Sequence, residues 1–408
     1  MKNKHVLISG ASLAGPALAY WLSRYGFQVT VVEKAPALRE SGYKVDIRGV
    51  AVDVVERMGM LADVRQASTA MRGGTFVNSD NKPLATMSAD FFNGRTERDD
   101  EIMRADLSRI LYERTQDQVE YIFADSITSM LEDEGGVQVT FGSGIQRTFD
   151  LVVGADGLHS NVRKLAFGDE AQFIHQLGAY VSIFTTPNFL NLDHWELYYY
   201  APGKFVSQYS SHDSSKAMNF FFFHSPALTY DYHDSEQQKQ ILAKAYVGAG
   251  WEIPRLLDYA RVAPDFYFDS ISLIKMEHWS RGRTVLLGDA AYCASPASGQ
   301  GTGLALVGAY VLAGELVTAS GDYQTAFARY EQAMRGYVAV NQKLAGAVKD
   351  FVPQTQSEIW LRTQVLRALQ YLPWKSIIGG KMMRDTQEAA NAITLKSYEH
   401  AEEVVSRV

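Results

Sequence analysis

The sequence predicts an α/β fold: a parallel sheet with crossover helices, joined to an antiparallel sheet and followed by C-terminal helices. Three observations predict it. A strand–turn–helix–strand unit opens the chain, a cluster of short aromatic strands fills residues 173–225, and helical periodicity runs from residue 302 onward.

The opening unit reads in order. "HVLIS" (5–9) is short, apolar and β-branched, as a buried parallel strand must be. Ala14, Leu18, Trp21, Leu22 and Tyr25 share one helical face, and Gly26 suits the helix end. "QVTVVE" (28–33) is a second buried strand. The basic start and apolar middle of residues 1–22 resemble an export signal, but the glycines, the serines and the strand that follows read as strand–turn–helix. Between strand and helix lies "GASLAG" (10–15), one glycine short of G-x-G-x-x-G because Ser12 takes the middle place. Gly10 permits the tight turn, and Gly15 lets the helix approach the strand. The helix start still offers free N–H groups to an anion. Glu33 stands where an acidic residue would bind a ribose hydroxyl. The plain alternative is an ordinary βαβ turn.

Further along, "KAPALRESGYKVDIRG" (34–49) reads as a solvated crossover loop, and 50–66 and 104–116 as helices. "GGTFVNSDNKPLATMSA" reads as a hairpin turning at Asp80–Pro83. "VQVTF" and "FDLVVGADG" (149–157) are strands. "GAYVSIFTTP", "HWELYYYAPG", "FVSQYSS" and "AMNFFFFHS" then form the antiparallel sheet. A helix over "SEQQKQILAKAYVG", a strand at 266–276 and a strand ending in Gly-Asp within 283–292 follow. The C-terminal part is a long amphipathic helix and, after Pro353, helices at 355–371 and about 376–398, broken at Pro373 and Gly379–Gly380.

Composition narrows the function. The chain of 408 residues is 47% hydrophobic with 12% aromatics, enough for a large core. A net charge of −7 without a basic run argues against nucleic acid or an anionic membrane as partner. One cysteine, Cys293, excludes an intrachain disulfide, and nine histidines without metal-ligand spacing give no metal site. No apolar run approaches the roughly 20 residues needed to span a bilayer.

Two further motifs stand far from the first: "GADGLHSNVR" (154–163) and "LLGDAAYCASPASGQGTGLAL" (286–306). With the βαβ turn and Glu33, in this order, they resemble the single-component, class A FAD-dependent monooxygenases of the para-hydroxybenzoate-hydroxylase type. "GYKVDIRG", "GAYVSIFTTPNFLNLDHWEL" and "GDAAYCASPASGQGTGLALVGAYVLAGEL", with the extra C-terminal helices, are most similar to the tetracycline destructases within that group. "DIRG" also occurs in hydroxylases of other polycyclic or phenolic compounds.

The resemblance implies a Rossmann-like FAD-binding domain (1–72, 98–172, 273–345), an antiparallel-sheet substrate domain (73–97, 173–272) and C-terminal helices (346–408) that act as a substrate-site lid. It implies non-covalent FAD and NADPH or NADH. Gly10, Ser12, Leu13, Ala14 and Gly15 would lie against the pyrophosphate, with Glu33 and Lys34 at the ribose. Arg39 and Arg104 would approach phosphate or ribose, Asp46 and Arg48 the flavin. Asp156 and Gly157 belong to a segment linked with both cofactors. Gly288 and Asp289 would hold the ribityl chain; Pro296, Gly299, Gly301, Thr302 and Gly303 would edge the isoalloxazine ring. The glycine-opened helix there offers N–H groups to the negative charge of a reduced flavin.

The implied reaction inserts one oxygen from O2 into a polycyclic phenolic or enolic substrate, a tetracycline antibiotic or another aromatic polyketide or phenol. A flavin hydroperoxide would carry the chemistry, so no side chain is assigned as catalytic acid or base. Two alternatives stay open: a flavin dehydrogenase without oxygen transfer, and a flavin-binding protein that is no enzyme. Period-2 placement makes Tyr198, Tyr199, Gln208, Asn219 and Phe221 substrate-binding candidates, with sheet core as the plain reading of each aromatic. The expected setting is cytoplasmic, the expected state a monomer without nucleic-acid or membrane partners. "GWEIP" (250–254) shares part of a halogenase motif, with Ala249 where the first Trp belongs.

Overall fold

The computed structural model describes residues 3–39, 42–89, 95–369 and 380–398, so the expected break at Pro373 and Gly379 lies outside the described residues. His5–Ser9 is central to a six-stranded sheet. It pairs in parallel with Gln28–Glu33 on one side and Leu151–Gly154 on the other. Glu120–Phe123 and Thr284–Leu286 extend the sheet in parallel, and Ser280–Arg281 closes one edge antiparallel. Val6, Leu7 and Ile8 are fully buried, as strands covered on both faces must be.

Helix Ala14–Arg24 packs against helix Gly301–Thr318 beside this sheet. The latter is buried at every position from Thr302 to Val317. It is long and apolar enough to cross a membrane, which corrects the expectation that no run nears that length. Its apolar surface is taken up inside the protein, so it is a core helix.

The second sheet has seven strands in the order Tyr267–Ile274, Ile174–Pro187, Lys216–His224, Lys204–Ser210, Trp195–Ala201, Gly73–Val77, Pro83–Ser88. All neighbours are antiparallel except Trp195–Ala201 and Gly73–Val77, which run parallel. The sheet is therefore mixed rather than antiparallel throughout. A parallel pair needs a long crossover, and here residues 78–194 pass through the first sheet before returning. Smaller sheets pair Ile127–Asp133, Gly136–Phe141 and Gln146–Phe149, and Lys44–Ile47 with Asp100–Met103.

The seven-stranded sheet has two different faces. One carries Tyr180, Phe184, Tyr199, Phe221 and Phe223, packed under helices Ser235–Ala245 and Ile253–Val262. The other carries Ile183, Tyr209 and Met218 and meets Tyr43 and Met103 of the first half. Further along that face Phe205 and Phe222 pack with Val348 and Val352.

Three local expectations change, and one stretch without an expectation is placed. The crossover 34–49 contains the strand Lys44–Ile47. The helical stretch 50–66 is two helices, Val50–Arg57 and Leu61–Gln66, parted at Gly59, whose φ of +68° suits glycine. "GWEIP" leads into helix Ile253–Val262, with Pro254 in its first turn and Trp251 Nε1 bonded to Asn81. The last described helix ends at Ala390, and residues 391–398 are not helical. There Tyr398 lies against Gly314, and Lys396 reaches Glu315 of the buried helix.

Candidate functional site

The first turn is built by exclusion of side chains. Gly10 has φ +107°, and a Cβ on it would meet Ala155 O at 2.5 Å. A Cβ on Gly15 would come within 1.9 Å of Gly10 O. Leu13 precedes the helix, and Ala14 and Gly15 begin it, with no acidic residue in the first turn. Ser12 holds more than backbone space. Its Oγ accepts from Arg104 Nη2 at 2.9 Å, and its carbonyl accepts from Ser108 Oγ at 3.0 Å. The serine in place of glycine thus brings a guanidinium to the helix N-terminus, adding positive charge where an anion binds. Glu33 accepts from Ala11 N at 2.8 Å and Ala35 N at 2.9 Å, which places its carboxylate beside the same turn. Lys34 and Arg39 are exposed on the chain leaving that strand.

The other two motifs converge on this turn. Gly288, at φ +66°, has its Cβ position 3.3 Å from Ala14 Cβ. Asp289 follows, exposed between the buried runs 284–288 and 290–294. Although the side chain is accessible, the protein crowded around it limits hydration of the carboxylate and raises its carboxyl above the usual range, with Arg104 opposing. The Cβ position of Gly301 lies 3.9 Å from Asp289 Oδ1, so Asp289 and the start of helix Gly301–Thr318 share one place. The first backbone bond of that helix is Leu304 N to Gln300 O, leaving the N–H groups of Gly301, Thr302 and Gly303 outside the helical ladder. Gln300 Nε2 is buried without a hydrogen-bond partner among the described residues. Pro296 and Gly299 are exposed at the turn before it, Gly299 in the left-handed region.

Asp156 plays a structural part as well. Its carboxylate accepts from Ser160 Oγ and, at 3.0 Å, from Val162 N, opening helix Asn161–Phe167; burial pushes its pKa up. Gly157 turns the chain at φ +84°. Sequence reasoning quoted Arg163 without giving it a role. It is fully buried and bonds Ala290 O at 2.9 Å, Leu158 O at 2.6 Å and Glu170 at 2.8 Å, tying the Asp-Gly turn to the Gly-Asp turn.

Asp46 and Arg48 belong to an ionic network at the seam between the halves. Asp46 pairs with Arg48 at 2.8 Å and Arg95 at 3.0 Å, and Arg95 pairs with Glu101. Lys44 Nζ lies 2.5 Å from Glu196 of the seven-stranded sheet. Burial alone would lower Lys44; Glu196 and Glu101 outweigh it and raise it. This cross-seam network spans distant segments, so spacing gave no signal for it.

The five substrate candidates do not come together. Tyr198 lies on the face toward the first half, its OH 3.1 Å from Glu196. Tyr199, Gln208, Asn219 and Phe221 correct the period-2 placement, for they lie on the helix-covered face. Gln208 and Asn219 are fully buried and bond each other at 2.9 Å, and Asn219 also bonds Phe184 O and Thr186 at 3.1 Å. Phe221 is fully buried against Phe184 and Tyr246. The face toward the first half is lined instead by Tyr198, Phe220 and Tyr267, in one row with Ser207 and Ile183.

Residues from the three motifs thus bring backbone donors, an arginine and an accessible carboxylate to one set of turns, a chemistry that fits a dinucleotide with a ring-bearing end. Comparison with known proteins agrees. The "FAD binding domain" family matches residues 3–332. A flavin-dependent monooxygenase of Legionella longbeachae is 42% identical over 343 residues, 84% of this chain and 88% of that protein. The crystal structure of the tetracycline destructase Tet(51) superposes with a TM-score of 0.86 at 35% identity, covering 96% of this chain and 99% of that one. Tet(55) gives 0.83 at 37%, covering 97% and 99%. The chain belongs to the FAD-binding, flavin-dependent monooxygenase family. It is an oxidoreductase that binds FAD and takes a small-molecule substrate and O2, and it is structurally close to the tetracycline destructases.

Proposed function

We propose that this chain is an NADPH- or NADH-dependent monooxygenase that inserts one oxygen into a polycyclic phenolic or enolic substrate, with tetracyclines as the first substrates to test. The convergence of Ser12–Arg104, Asp289 and the Gly301–Gly303 helix start carries the reading. FAD, when bound, supplies the redox and oxygen chemistry. Ser12, Arg104 and the backbone from Gly10 to Gly15 hold the diphosphate, with Glu33 at the ribose. Lys34 and Arg39 supply positive charge nearby. Asp289 would hold the ribityl chain, and the free N–H groups of Gly301, Thr302 and Gly303 would supply positive charge to a reduced ring. Gly288, Pro296 and Gly299 shape that edge; Asp156, Gly157, Asp46 and Arg48 hold the surrounding turns.

The chain's own task is then to orient a flat substrate and exclude water. The row Tyr198, Phe220, Tyr267 offers aromatic surface for this, opposite the first half. That helix Gln356–Leu369 lies against Pro83–Ser88 and Trp195–Ala201 supports the reading of residues 346–408 as a substrate-site lid. The domain division at residues 72/73, 97/98, 172/173, 272/273 and 345/346, a monomeric state and a cytoplasmic setting belong to the same proposal.

The test is an NADPH- and NADH-oxidation screen over phenolic polyketides, tetracyclines included, with product masses recorded. A mass gain of one oxygen carries the proposal; turnover under nitrogen with an artificial acceptor and an unoxygenated product replaces it with a dehydrogenase. Asp289→Ala lowers FAD occupancy while the far-ultraviolet circular dichroism stays unchanged. Full FAD retention in that variant removes Asp289 from the site.

A further inference from the structure

One cluster outside the proposed cofactor contacts joins the Asp-Gly turn to the seven-stranded sheet. Tyr267 opens strand Tyr267–Ile274 and sits opposite Ile183, on the face toward the first half. It is 37% exposed, whereas Phe268 to Ile274 are buried. Its hydroxyl donates to Asp269 Oδ2 at 3.0 Å. Although the residue as a whole is partly exposed, protein packed around its hydroxyl end limits hydration and pushes the phenol far above its ordinary value; Asp269 and Tyr43 add to this and Arg104 opposes it. The phenol is therefore neutral and carries its single proton.

Asp269 is buried and its oxygens are filled. Oδ1 accepts from Ser270 N at 2.7 Å, and His159 Nε2 lies 3.1 Å from Oδ1 and 3.2 Å from Oδ2. The other ring nitrogen, Nδ1, meets Glu170 at 2.8 Å, and Arg163 holds Glu170 from the far side at 2.8 Å. Tyr232 stacks on the imidazole with ring centroids 4.5 Å apart. Burial would lower His159, but the two carboxylates push it up to about 9, so both nitrogens donate at neutral pH. Both Asp269 oxygens are thus occupied as acceptors, by Ser270 N, the His159 ring and the Tyr267 hydroxyl. The Tyr267 proton is directed toward Asp269, and among the described residues no donor takes up the phenol oxygen.

We infer that Tyr267 is a specificity-determining residue that accepts a hydrogen bond from a neutral hydroxyl of the aromatic substrate, and that Asp269 and His159 are positioning residues that fix the direction of its proton. The inference rests on the reading that the aromatic face is the substrate face. It narrows the substrate class to un-ionised phenols and enols and disfavours their ethers. A site that offers a fixed acceptor to one substrate hydroxyl discriminates against ligands lacking that hydroxyl.

The FAD-loaded full chain tests this by titration with 2-naphthol and with 2-methoxynaphthalene at neutral pH, read by the visible difference spectrum of the flavin. The expected preference for 2-naphthol is about tenfold, the equivalent of one well-made hydrogen bond. Tyr267→Phe brings the ratio to about one while FAD stays bound, since only the acceptor oxygen is lost. Asp269→Asn, whose amide donates to the Tyr267 oxygen and takes up its lone pair, lowers the same ratio and serves if the first variant fails to fold. A ratio unchanged in either folded variant overturns the inference. Equal binding of the two probes by the native chain overturns the inference and leaves the aromatic face standing. Binding of neither probe removes the aromatic face as substrate site, and the inference with it.

Discussion

The two faces of the seven-stranded sheet are made of the same residue types and differ in what is left over. On the helix-covered face Gln208, Asn219 and Thr186 bond one another, and Phe221 is enclosed by Phe184 and Tyr246. These side chains are enclosed, with Gln208, Asn219 and Phe221 at 0% exposure. On the opposite face Tyr198 and Tyr267 point their protons at carboxylates while keeping part of their surface accessible. Aromatic content alone does not mark a binding surface; incomplete enclosure does.

The sharpest way to break this comparison is Phe221→Ala. Removal of a fully buried phenyl costs about 3–5 kcal/mol of stability in denaturant unfolding and leaves aromatic-probe binding to the folded fraction unchanged. If probe affinity falls while stability holds, the faces are wrongly assigned. Asn219→Ala comes next. It leaves the amide of Gln208 and the Phe184 carbonyl short of a partner and costs about 1–3 kcal/mol, again without effect on binding.

A pH series then probes the bridge between the halves. His159 has its folded pKa raised to about 9 from an ordinary 6.5. Its contribution is full below the lower value and is lost as pH rises through the upper one. That amounts to roughly 1–2 kcal/mol, discounted for partial exposure. His159→Gln should flatten the decline in thermal midpoint across this window. An unchanged decline means that other groups carry it. The smallest effect is Tyr198→Phe, which removes one hydroxyl from Glu196 at a cost under about 1 kcal/mol; calorimetry reads it, and a larger loss would place Tyr198 in the enclosed class.

Much of the nucleotide half was legible because backbone geometry there dictates residue type. Gly10 and Gly15 admit no side chain, and Gly288 must turn with positive φ, so their spacing carries the fold. The sheet faces were not legible. Phe220–Phe223 and Tyr198–Tyr200 have no apolar–polar alternation, so parity could not be assigned from them. A register shift between Gln176 and Tyr180, at Gly178, further displaces any count along that strand. Arg104 was assigned by resemblance alone, and its bond to Ser12 spans 92 residues. The His159–Asp269 contact spans 110, beyond any local pattern.

The chain's last described residues constrain how the proposed lid is studied. Glu315 is buried at 1% exposure in the central helix, and its carboxylate is met by Lys396 at 2.6 Å and Tyr398 at 2.9 Å. Cutting the protein after Pro353 removes both counter-groups and strands a charge in the interior of the nucleotide half, a loss of about 3–5 kcal/mol. Such a shortened chain would shed cofactor for reasons unrelated to substrate access. A flap hinged at one end swings free; this one is moored at its far end to the keel, so its motion is best followed by a disulfide or fluorophore pair placed across Arg367 and Leu84, whose side chain and carbonyl already touch at 2.8 Å.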